Sequence, residues 1–196
     1  HGWSKLFDVD ILDAEGPDLE LPIPNGKRIQ KNLVGKNIKN YDSMLVLSHF
    51  KGHPMGGFGG ALKQLSIGCA SSAGKANIHG AGKPEEMWTT EQNAFLESMA
   101  DAAESVVKLF DGKIVYINVM KNMSVDCDCC AVAEDPCMKD IGILASLDPI
   151  ARRASTSSTR PTIRAATTSL SASRASTAST PWRPPPNSAS VRESMS

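Results

Sequence analysis

At Ala151 the amino-acid sequence changes character, and that break limits how much of the chain can fold. From Arg152 to Ser196 it is mostly Ser, Thr, Ala, Arg and Pro, with seven arginines, no lysine and a single acid, Glu193. Such a segment has too little apolar surface to offset the entropy of ordering it. The basic residues of 1–151 are thirteen lysines and Arg28, and acids outnumber them, so the net charge of +0 conceals an acidic body and a basic tail. Three readings of the tail are open: a disordered linker, a basic arm for nucleic acid, and an out-of-frame translation. The third accounts for most. All tail residues except Ile163, Leu170, Asn187, Val191, Glu193 and Met195 have codons with C or G in the middle, as a GC-rich gene read one base out would give. The tail is therefore expected to be unstructured and without function. No nucleic-acid partner is expected.

Residues 1–151 alternate strand and helix signals. "DVDIL" (8–12) is a short strand candidate, and "LELPIPNGKRIQKNLV" (19–34) has Asn25-Gly26 between two extended runs, which predicts a hairpin. "SMLVL" (43–47), "KIVYINVM" (113–120) and "IGILASL" (141–147) read as strands buried on both faces of a parallel sheet. "GGFGGALKQLSIG" (56–68) reads as a glycine-opened helix. The firmest helix is 90–110. Thr89 with Gln92 offers a capping box, Phe95, Met99, Ala102, Val106 and Phe110 form one stripe, and Asp111-Gly112 stops it. The expected fold is α/β, a mostly parallel sheet with flanking helices and a β-hairpin insertion. No run of apolar residues is long enough to span a membrane, and no secretory leader is visible, so a cytoplasmic protein is expected.

In open α/β sheets ligands gather beyond the carboxyl ends of the strands. Three loops qualify: "SHFKGHPMGGFGGALK" (48–63), the cysteine segment 124–137, and "LDP" (147–149). The first carries His49, Lys51 and His53, then Gly56, Gly57, Gly59 and Gly60. These glycines suit either close approach to an anion or tight helix–sheet packing. Neither the dinucleotide fingerprint nor a P-loop is present, since Leu62 stands where the third glycine of the one belongs. "GCASSAGKA" (68–76) spaces its glycines one residue too far apart for the other. The second loop, "SVDCDCCAVAEDPC", holds Cys127, Cys129, Cys130 and Cys137 among acids. Thiolates are soft ligands for zinc, copper(I) or iron–sulfur clusters. Redox chemistry and a structural role are the alternatives. The C-x-C-C-x6-C spacing is neither a zinc-finger nor a ferredoxin pattern. Cys69, opening "CASSAGK", is a further ligand candidate.

The stretches "LVLSHFKGHPMGGFGGALKQLSIGCASSAGK" (45–75), "INVMKNMSVDCDC" (117–129) and "DIGILASLDPIA" (140–151) closely resemble domain-of-unknown-function family 362, an iron–sulfur center protein family. The resemblance covers most of 1–151. It implies an α/β fold and, for many members, an inserted ferredoxin-like module with eight cluster cysteines after the "CASxxGK" loop. Here that place holds "ANIHGAGKPEEMW" (76–88), without cysteine, so no ferredoxin-type motif carries the label across. The resemblance also implies further α/β units before His1 and an in-frame continuation after the LDP motif. A truncated amino terminus and a frameshift after about Ala151 are thus expected.

The leading expectation is a metal- or iron–sulfur-associated α/β protein, with metal ligands among Cys127, Cys129, Cys69, His49 and His53 and a small molecule or redox protein as partner. One alternative is a metal-free enzyme that binds an anionic small molecule at the glycine-rich loop through Lys51, Gly57, Gly59 and Lys75, with Lys63 nearby. The other is a scaffold protein without a site.

Overall fold

The structure, a computed structural model, describes residues 2–15, 18–125 and 135–149. The tail expectations, and those for Cys127, Cys129 and Cys130, lie outside the described residues. No helix among the described residues is long and apolar enough to cross a membrane.

β1 (Leu19–Pro22) and β2 (Lys31–Val34) form the expected antiparallel hairpin, in the register Leu19 to Val34 and Pro22 to Lys31. The connection is longer than a two-residue turn: Asn25-Gly26 closes one β-turn within it, the Gly26 N–H donating to Ile23 O at 3.0 Å. "DVDIL" forms no strand. The central sheet is three-stranded, ordered β3 (Met44–His49), β6 (Ile114–Met120), β7 (Gly142–Ser146), once β4 (Lys51–His53) and β5 (Gly57–Gly59) are counted as the small hairpin between.

The α/β reading holds, and two details differ. First, β3 pairs with β6 in parallel, but β7 runs antiparallel to β6, so the described sheet is mixed. An apolar run records that a strand is buried, not its direction. Second, the strands are buried on one face only. Val46, Ile114 and Tyr116 turn inward, whereas Leu45, Leu47, Val115 and Ile143 are exposed on the other side. β7's antiparallel course also moves "LDP": it leaves the sheet at the end opposite to the β3 and β6 exits. There Asp148 faces Tyr116, whose phenol is pushed up first by burial and then by that carboxylate.

Residues 56–60 are not helical. Gly57, at φ +76°, and Gly59 belong to the β4–β5 hairpin, where glycine supplies the left-handed conformation of a tight reversal. The helix begins at α1 (Ala61–Lys63) and runs on as a π-helix, Gln64–Gly68. α2 (Ser72–His79) follows, capped by the Ser71 hydroxyl, which accepts from Gly74 N.

α3 (Gln92–Phe110) packs across this assembly, and all five predicted stripe residues are buried. Its start differs from the capping-box expectation. Glu91 is the N-cap, its carboxylate accepting from Asn93 N and Ala94 N, while Gln92 reaches out to Met55 O. Asp111 ends the helix in the left-handed region, as Asp111-Gly112 predicted. Beneath α3, Val34, Val46, Leu65, Val106, Phe110 and Tyr116 make one core; Ile23, Ile78, Phe95 and Met99 make a second beside it.

Candidate functional site

Because β3 and β6 are parallel, their carboxyl ends emerge at one edge, and the register sets Ser48 beside Asn118 and His49 beside Val119. Asn118 fixes what comes next: its Oδ1 accepts from Ala61 N at 3.1 Å, pinning the start of α1 over the strand ends. This close approach requires Gly60, where a Cβ would lie 3.0 Å from Asn118 Oδ1 and 3.1 Å from Phe50 Cδ2. The chain beyond β6 enters at the same edge, since Gly52 N donates to Ser124 O at 2.9 Å.

These elements enclose an open cleft of about 500 Å³. Its charged lining is Lys51, Lys63 and Lys75, and no carboxylate lines it among the described residues. Lys51 is 8% exposed, at the start of β4. Lys63 comes from α1 and Lys75 from the first turn of α2, where its Nζ lies 3.8 Å from Asp13 Oδ2. Gln64 and His49 add polar atoms, and Gly59, Gly60 and Gly68 let the backbone form part of the wall. His49 Nε2 is 2.7 Å from Lys121 O, so that nitrogen donates to the carbonyl.

Ser48 is the cleft's unusual member. It is 3% exposed, and its Oγ has no hydrogen-bond partner among the described residues. A buried hydroxyl without a partner costs free energy, so native structures rarely keep one without a reason. Among the described residues no base lies within hydrogen-bond distance of the Ser48 hydroxyl.

Behind the lysines, His79 Nδ1 donates to Lys75 O at 2.7 Å and its ring stacks on Phe95. Burial lowers its pKa most, the Lys75 carbonyl opposes that, and the Lys63 ammonium lowers it further. His79 is thus held neutral at pH 7, adding no charge to the cleft's.

Lys51, Lys75, Gly59 and His49 line one cleft; Gly57, His53 and Cys69 do not. His53 is buried in β4, its Nδ1 accepting from Gly56 N at 2.8 Å and its ring facing Phe95. Cys69 sits in the main core, and burial pushes its thiol up to about 11. Cys137 is exposed, and its amide donates to Met123 O, returning the chain to the stem of the cysteine segment. Among the described residues no group of three or more His, Cys, Asp or Glu side chains is disposed to hold a metal ion.

Ser48, Gln64 and Gly68 were not singled out as ligand contacts by sequence reasoning, and Gly60 only as one of the loop glycines that suit approach to an anion. Ser48 did leave a trace: in "LVLSH" it has the same parity as Val46, a polar residue at an inward position where the strand ends.

A family model described as Domain of unknown function (DUF362) matches residues 2–154. No curated protein and no solved structure matches the chain.

Proposed function

The chain belongs to the DUF362 family, and from that premise we propose that it binds a small anionic molecule in the cleft at the carboxyl ends of β3 and β6. The observation that carries this reading is the meeting of three lysines with a buried, partnerless Ser48 hydroxyl in one cavity. An anion entering there gains from the ammonium groups and satisfies the hydroxyl. The cleft is within the size range of ligand pockets, roughly 300–1,000 Å³. The reading is of a cytoplasmic binding protein or enzyme whose anion site needs no metal. The test is a melting-temperature screen of the full chain against phosphorylated and carboxylated metabolites, with Lys51→Ala alongside. A rise in melting temperature for one class, lost in Lys51→Ala, is expected. No rise across the panel, or the same rise in the variant, would contradict it.

A second reading is metal or iron–sulfur association through Cys127 and Cys129. It is favoured by the stem of their segment, which enters beside β4 at the same edge as the cleft. Elemental analysis of anaerobically purified protein decides this reading. About one metal or more per chain, lost on Cys127→Ser and Cys129→Ser, is expected; metal content unaffected by those changes would count against it.

A further inference from the structure

Resting on the anion-binding reading, we propose that the cleft selects a phosphoryl group, carried as a small phosphate ester or diphosphate, and that Ser48 is the residue that sets this selectivity. Its donor set fits that chemistry better than it fits a carboxylate. Each lysine is a rotatable point charge, and three of them with a hydroxyl match the near-double charge and three terminal oxygens of a phosphoryl group better than the single charge and two oxygens of a carboxylate. Among the described residues the cleft has three lysines and no arginine. Arg28, the one arginine of residues 1–151, is engaged elsewhere, its Nε donating to Glu97 Oε2 at 2.6 Å.

The neutral donors point the same way. A phosphate monoester presents three terminal oxygens and close to two negative charges, so it can accept from several lysines and still take a hydroxyl proton. Ser48 Oγ, buried beside Asn118 at the strand ends, is a donor of that kind, and among the described residues nothing bonds to it. Asn118 beside it is already engaged with Ala61 N. The wall is also shaped for close approach. Gly60 has no room for a Cβ, and at Gly68 a Cβ would lie 2.7 Å from Gln64 Nε2, which keeps the Gln64 amide against the backbone at the cleft. At about 500 Å³ the cavity exceeds a bare ion, leaving space for the organic remainder of an ester.

The test is calorimetric titration of the full chain with inorganic phosphate, methyl phosphate and pyrophosphate, set against acetate and malonate at matched pH and ionic strength. Phosphates are expected to bind at least about tenfold more tightly than carboxylates of similar charge, with pyrophosphate tightest. Ser48→Ala is expected to weaken phosphate binding about tenfold. Its melting temperature without ligand should hold or rise, because a partnerless hydroxyl has been removed. These opposite signs separate a binding role from a structural one. Carboxylates binding as well as phosphates would overturn the phosphoryl assignment while leaving anion binding intact. Unchanged phosphate affinity in Ser48→Ala, or a lowered melting temperature, would overturn the role of Ser48. Binding of no anion would overturn this inference and the reading beneath it together.

Discussion

Asp101 and Ser48 are both buried polar side chains at the edge of the core, and their surroundings differ in one respect. Asp101, on α3, accepts backbone N–H groups from Lys27 (3.0 Å), Arg28 (2.7 Å) and Ile29 (3.1 Å), so the hairpin loop between β1 and β2 closes around it. Glu97, one turn earlier on the same helix, pairs with the Lys27 and Arg28 side chains outside. Charge at this corner is answered from within the chain. At the β3–β6 edge, in a cleft that three lysines also line, the Ser48 hydroxyl has no acceptor among the described residues. A buried polar group completed by its own chain serves stability; one left incomplete in a cavity calls for a ligand. The two corners should therefore respond differently to mutation.

The largest expected effect falls on α2, which supplies Ile78 to the core and Lys75 to the cleft. Gly74, in α2, is seated so tightly on β2 that a Cβ would lie 2.0 Å from Leu33 O. Gly74→Ala should cost ~3 kcal/mol or more in urea unfolding, because the contact is with backbone that cannot rotate away. It should also abolish anion binding by displacing Lys75. A wild-type urea midpoint would show that α2 does not seat on β2 in this way.

Next comes Asp101→Ala, which strands three backbone donors at the loop and should cost about 3 kcal/mol. Anion affinity of the folded variant should be unchanged. A parallel loss of affinity would break the separation between the two corners.

How far the sequence foretold each corner follows from what local patterns encode. The α3 stripe was legible because Phe95, Met99, Ala102, Val106 and Phe110 repeat at helical spacing, and that repeat holds whatever packs against it. The hairpin at 19–34 was legible from Asn25-Gly26, though not its loop, which takes its shape from Asp101, more than seventy residues away. The antiparallel course of β7 was hidden because residue parity is the same in either direction. The glycines at 56–60 read as the opening of a helix. Their hairpin depends on the pairing of Lys51 with Gly59 and His53 with Gly57, which no local pattern records. Lys51 and Lys75 were visible as candidate anion ligands, and the structure sets them in one cleft. Ser48 looked like an ordinary strand serine, since only a missing partner distinguishes it.

The smallest effect is a pH dependence at the closed corner. Glu97 is held below the ordinary glutamate value of 4.5, first by its hydrogen bond from Lys27 and then by that from Arg28. A depressed folded pKa means stability that is present above the unfolded value and is lost as the pH falls through the folded one. Wild type and Glu97→Gln should therefore differ in melting temperature near neutral pH and converge in acid. The gap should be small and shrink with added salt, because the pair is solvent-exposed. A gap that widens in acid would reverse the assignment.

The central claim, that the open corner is a phosphoryl-type anion site, is tested most directly by locating a heavy oxyanion. Crystals of the full chain soaked in tungstate would report its position through anomalous scattering. The account predicts tungsten in the cleft between Lys51, Lys63 and Lys75, with an oxyanion oxygen within hydrogen-bond distance of Ser48 Oγ. An ordered tungstate elsewhere on the protein, with the cleft holding none, would contradict it.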